Sequence, residues 1–196
     1  TTGDGRADVR KVLFTGFNQG NQQPRMTGFA LGLDNWIHAA NGDSGGTITS
    51  KATGKKTNIN GLDFRFKVTG EFEAVAGQTQ FGRWRDDWGN WFGNNNPKWL
   101  WHYHIPIRYL ARDQHLPVPS TRRNTFSSNR LFPISPRMKR PNMPHAYGRV
   151  TSANSASPYR GGSFLEVDPS FAGSVFISEP VHNLVHREVL EPDGVS

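Results

Sequence analysis

An Asn-Trp pair, set behind a glycine-bounded apolar run and returning at a fixed interval, constrains this chain more than any other feature. Gly28-Phe-Ala-Leu-Gly32, a polar turn at Asp34-Asn35 and Trp36-Ile-His-Ala-Ala40 make the first copy. The second is Gln80-Phe-Gly82, the polar turn Asp86 to Asn90, and Trp91-Phe92, so that Trp91 follows Trp36 by 55 residues. Each copy is preceded by a strand-like run, Arg10 to Phe17 and Glu71 to Ala76. Between the copies, Leu62-Asp-Phe-Arg-Phe-Lys67 alternates apolar and polar residues with period two, as a half-buried strand does. A weaker third copy runs through Ser163-Phe-Leu-Glu-Val167, a turn at Asp168-Pro169, Ser174 to Ser178, and Asn183 to Arg187. Short strands repeating every 40–50 residues or so predict β-propeller blades. The expectation is an all-β fold of about three blades, residues 1–196 forming one partial propeller domain whose ring is incomplete. Residues 9–17 then read as the last strand of a truncated blade, completed by other polypeptide or by chain outside this sequence.

Composition agrees with many short strands. The 21 glycines and 13 prolines are spread along the chain and argue against long helices. Only 35% of residues are hydrophobic, a shortfall that 13 Phe and 6 Trp partly make good because each aromatic ring buries a large area. No run of eighteen apolar residues exists to span a membrane, and no signal-peptide pattern is visible. The absence of cysteine excludes thiolate catalysis, disulfides and covalent haem attachment, and fits a periplasmic or extracellular location.

The net charge of +7 belongs to one segment. From Gln114 to Leu165 there is no Asp or Glu, but eight Arg and Lys residues; the rest of the chain has 15 basic against 16 acidic residues. Its Pro-rich part, about 115–148, reads as an insertion between blades. Arg137, Lys139 and Arg140 are its densest charges and form a candidate docking surface for an acidic protein partner, an anionic lipid or nucleic acid, against the plainer reading of a solvated loop. Aromatic residues are too sparse there for a base-stacking groove, which argues against nucleic acid.

Four further constellations carry possible chemistry. Asp4 and Asp8, with Gly5 between them, resemble the later half of a calcium loop; a solvated Gly-Asp turn is the alternative. His102 and His104 would share one face of a strand, and His182 and His186 have the spacing of helical zinc ligands, though neither pair has the further ligands of a metal set nearby in sequence. Trp99 and Trp101 fall outside the repeat pattern and are the candidates for an exposed aromatic patch that meets a carbohydrate or a partner. The other tryptophans of the 84–101 cluster read as core.

The strings Val12-Leu-Phe-Thr-Gly-Phe17, Gly32 to His38, Asp63-Phe-Arg-Phe66, Gly70 to Val75, Asp86 to Asn90, Phe132-Pro-Ile-Ser-Pro136 and Asn183 to Arg187 occur in one order. In this they resemble the planctomycete-type membrane-bound dehydrogenase family. That resemblance implies a six-bladed propeller similar to the soluble PQQ-dependent sugar dehydrogenases. It also implies a calcium- and PQQ-linked loop at Asn95, Asn96 and Pro97. The family's catalytic residues do not carry over. Arg25 stands where a catalytic His is expected, and Gly77-Gln-Thr-Gln80 lacks the expected Arg. No catalytic residue is therefore assigned and PQQ is not expected. The functional expectation is a non-catalytic or degenerate secreted propeller acting as scaffold or subunit of a larger assembly, electron transfer being one candidate for its role. The alternatives are a PQQ- and calcium-dependent dehydrogenase fragment and a carbohydrate-binding module.

Overall fold

The computed structural model of the chain describes residues 2–23, 25–113, 115, 117, 120–136 and 147–194. Two halves follow each other along the chain. The first holds strands β1 (Phe14–Phe17), β2 (Thr27–Leu31), β3 (Ile37–Ala40), β4 (Gly46–Ser50), β5 (Lys56–Asn58), β6 (Asp63–Phe66) and β7 (Phe72–Val75). The second holds β8 (Trp84–Arg85), β9 (Trp91–Asn95), β10 (Lys98–His102), the single-turn helix α1 (Ile107–Leu110), β11 (Arg123–Asn124), β12 (Asn154–Pro158), the short helix α2 (Ser163–Val167), β13 (Ser174–Glu179) and β14 (Leu184–Val189). The strands make four antiparallel sheets with orders β1-β4-β5, β2-β3-β6-β7, β11-β10-β9-β8 and β12-β13-β14.

Local chemistry explains these elements. Both copies of the repeat are hairpin turns led by an aspartate. Gly32 N donates to the Trp36 carbonyl at 2.8 Å while Asp34 Oδ1 accepts from Trp36 N. Asp86 N donates to the Asn90 carbonyl at 3.1 Å while Asp86 Oδ1 accepts from Trp88 N and Asn90 N. Side-chain carboxylates that bond the backbone two residues on are the usual starters of such turns. β1 bulges against β4 between Thr15 and Phe17. Gly16 sits there at φ +96°, where a Cβ would overlap the Thr47 carbonyl oxygen, so only glycine fits.

Each half buries its own core. In the first, Phe14, Phe17, Phe64, Phe66 and Phe72 pack ring against ring with centroids 5.3–5.6 Å apart, over Ala39, Ile48 and Ile59. In the second, Phe92, Trp99, Leu100, Leu131, Val150, Ala153, Ala156, Val175 and Ile177 form the core. A small third cluster, Ala76, Trp101 and Tyr103, lies near the join. A fully buried Phe or Ile contributes roughly 1.5–3 kcal/mol, so the aromatic-rich composition does supply cores.

The propeller expectation is overturned. The four sheets of three or four strands stay separate; they neither close into a ring nor take a blade arrangement. The recurrence at 35–36 and 90–91 encodes a hairpin turn with its following strand, which is a local motif and says nothing about closure. Residues 9–17, expected as the last strand of a truncated blade, instead hold β1, which pairs with β4 at the edge of a separate three-stranded sheet. The third copy departs further: Ser163–Val167 is helical, and only the β13–β14 hairpin, turning through Asn183 at φ +52°, matches the expected strands. Within the basic segment, β11 pairs with β10 and Leu131 is buried in the second core.

Candidate functional site

A cleft of about 550 Å³ opens between the β8–β11 sheet and the β12–β14 sheet. Its walls come from separate stretches of chain. The β8–β9 turn supplies Asp86, Asp87, Trp88 and Asn90; β9 and β10 supply Phe92 and His102. Opposite them stand Pro158, Tyr159, Arg160, Ser174 and Val175, and the chain after β14 adds Leu190, Glu191 and Pro192. The backbone fixes this second wall: Tyr159 N donates to the Ser174 carbonyl at 2.8 Å and Leu190 N to the Gly173 carbonyl at 3.0 Å. Arg123 on β11 pairs with Asp193 at 2.8 Å and ties the end of the wall to the other sheet.

Trp88 is the outstanding side chain, 82% exposed at the rim. The turn beneath it is stiff, because Asp86 uses both oxygens internally, Oδ1 on two backbone N–H groups and Oδ2 on Asn90 Nδ2 at 2.7 Å. Asp87 accepts from Arg160 Nε at 2.7 Å, an ion pair that bridges the two walls. Glu191 has no ion pair among the described residues. His102 stacks on Phe92 with centroids 5.1 Å apart, and burial and the neighbouring His104 hold its pKa below the usual histidine value. Among the described residues, three carboxylates against one guanidinium leave the lining two negative charges in excess, in a chain of net charge +7.

Two buried polar networks lie elsewhere. The Asp63 carboxylate, 0% exposed, accepts from Asn41 N, Thr79 N, Thr79 Oγ1 and Arg83 NH1. Arg83 packs over Trp91 and Tyr103 and also donates to the Ala76 carbonyl. Burial pushes the Asp63 carboxyl up, against the pull of Arg83 and Thr79. The Glu179 carboxylate accepts from Thr151 N, Ser152 N and Ser152 Oγ, with His182 Nδ1 at 3.2 Å. In both, every carboxylate oxygen is already engaged, which suits structural cross-links.

A second opening of about 420 Å³, lined by Thr27, Gly28, Phe81, Gly82, Trp84, Asn154 and Ser155, has no ionisable group in its lining among the described residues. Nearby in the chain, Asn94 is fully buried, and neither its amide oxygen nor its nitrogen has a partner among the described residues. An ordered water would satisfy such a group.

Several residues singled out from sequence stand differently. Trp99 and Trp101 are not an exposed patch: they are 1% and 3% exposed, stacked on His186 and Arg122 respectively, because β10 faces the core on both sides. Asp4 is exposed and accepts from Arg6 N in a local turn, and Asp8 is exposed as well. Asn95 ends β9, and Asn96 and Pro97 make the β9–β10 turn; Asn96 N donates to Gln80 Oε1 and its carbonyl accepts from Ala153 N. His102 and His104 rings are 6.2 Å apart, and His182 and His186 lie on different elements, paired with Glu179 and Glu188. No cluster of three or more metal-ligating side chains exists among the described residues. Arg137, Lys139 and Arg140 lie outside the described residues. The cleft itself was missed, because its walls meet only in three dimensions; the one available sign was the polar turn Asp86-Asp-Trp-Gly-Asn90, where a tryptophan sits amid turn residues.

Sheets and cleft together define a β-rich domain with a ligand-sized opening between two antiparallel sheets. The family described as a domain of unknown function, DUF7133, matches residues 1–196, and the chain belongs to it. No curated protein and no solved structure matches. The resemblance to dehydrogenases is therefore corrected: the family carries no such activity in its description, and the sheets lack the propeller closure that the resemblance implied. The expectations of a propeller scaffold, a PQQ-dehydrogenase fragment and a carbohydrate-binding propeller module fall with it.

Proposed function

We propose that this domain binds a small organic molecule in the cleft between the β8–β11 and β12–β14 sheets. The observation that carries this reading is the combination of volume and lining. About 550 Å³ lies within the usual range for small-molecule sites, and Phe92, Val175 and Leu190 offer apolar contact beside a polar rim. An indole left 82% exposed on a turn braced by three hydrogen bonds supports the same reading, since a large rigid aromatic at a rim costs little entropy on binding.

A fragment screen followed by two-dimensional NMR tests it. Binding fragments are expected to shift the Trp88 indole, His102 and Tyr159 signals together, and Trp88→Ala is expected to weaken them at least tenfold. Fragments that cluster instead at Thr27, Trp84 and Ser155 would move the site to the smaller opening and overturn the proposal.

A further inference from the structure

We infer that the cleft selects an organic cation, a compact body bearing an ammonium or guanidinium head; the inference rests on the ligand-cleft reading above. Charge makes the first argument. Among the described residues the lining carries Asp86, Asp87 and Glu191 against Arg160 alone, while the molecule as a whole is strongly positive. A cation drawn to this chain therefore finds favourable potential at the cleft against the sign of its net charge.

The arrangement of those charges makes the second. Among the described residues Arg160 is the one cation in the lining, and it is already bound by Asp87 through both Nε and NH2, at 2.7 and 2.5 Å. An anionic ligand would have to break that pair and then face three carboxylates. Glu191 is exposed and has no ion pair among the described residues, so a cation gains it without displacing anything. His102, whose pKa burial lowers, adds no positive charge near neutral pH.

Aromatic chemistry makes the third. The indole is the side chain whose face attracts cations best, and Trp88 presents its ring to solvent at the rim. Tyr159 stands on the facing wall, supported edge-on by Phe171 and Phe176 at 6.0 and 6.1 Å. Aromatic faces joined to carboxylates are the usual receptors of ammonium groups.

Three probes of one shape test the inference: choline, its uncharged isostere 3,3-dimethylbutan-1-ol, and the anion 3,3-dimethylbutanoate. Each is titrated into the full chain at low and high salt, with Trp88 indole and Tyr159 signals read by NMR. Choline is expected to bind at least tenfold more tightly than the alcohol, to weaken with salt, and to lose at least threefold in Glu191→Gln and tenfold in Trp88→Ala. Equal or tighter binding of the alcohol or the anion at the same signals would overturn the cation inference and leave the ligand cleft standing. No response of those signals to any of the three would overturn the inference and count against the cleft reading as well.

Discussion

Asp63 has four donors on its two oxygens and no solvent, so its loss strands what it holds. Removing one partner of a buried ion pair leaves the other charge uncompensated, at about 3–5 kcal/mol. Asp63→Ala is accordingly expected to destabilise by that much in urea unfolding, and Asp63→Asn by less, because the amide keeps its shape and accepts at one position. His38 is the pH-sensitive residue of the same region. It is 3% exposed, stacks on Trp91 at 4.0 Å and has Nε2 3.4 Å from Asp34. Burial and the Arg83 charge push its pKa down to about 3. The unfolded chain therefore takes up a proton near pH 6.5 that the folded chain refuses until about pH 3, so stability is full above pH 6.5 and falls as pH drops through that window. His38→Gln is expected to flatten the stability-against-pH slope there by about 1.4 kcal/mol per pH unit, measured by urea titrations at stepped pH. None of this was legible in the sequence. Asp63-Phe-Arg-Phe66 shows its alternation plainly, yet the Asp and Arg side is buried too, because Asn41, Thr79, Arg83 and Asp34 arrive from distant parts of the chain, and Glu73 from the adjacent strand β7, to meet it.

The strands and turns were the readable level. Glycine-bounded apolar runs and Asp-led turns specify hairpins by local chemistry, and β2–β3 and β8–β9 follow directly from Asp34-Asn35-Trp36 and Asp86 to Asn90. How hairpins meet is decided by contacts that no short window contains. The approach of the two halves at Gly28 and Gly82 is one: Gly28 lies at φ +65°, and a Cβ there would overlap the Cα of Gly82. Gly28→Ala is expected to cost about 2–4 kcal/mol, combining left-handed strain with backbone overlap. Gly54 has a similar φ of +71° but open space around it, so Gly54→Ala is expected to cost only about 1 kcal/mol. Thermal unfolding of the two variants side by side measures the difference, which is the cost of the close approach alone.

At the scale of the molecule, the apolar cores belong to the halves and the join between them is mostly polar. Arg83 and Thr79 reach Asp63, Gly42 N donates to the Thr79 carbonyl, Arg85 Nε donates to the Leu31 carbonyl, and His38 lies on Trp91. The cleft lies within the second half, so Trp88→Ala is expected to leave the unfolding free energy within about 0.5 kcal/mol of the parent while weakening binding at least tenfold. A join of this kind also affects how the protein comes apart. Five of the six tryptophans, at 84, 88, 91, 99 and 101, sit in the second half, and only Trp36 is in the first. Emission intensity therefore follows mainly the second half, whereas amide exchange reads both. Near pH 4, where the unfolded chain carries a proton on His38 that the folded chain refuses, the two records are expected to part. Strands β1 to β7 should then exchange at a denaturant concentration where the fluorescence of the rest still reports a packed state. Coincident transitions at that pH would mean that the polar join couples the halves as firmly as a shared core does.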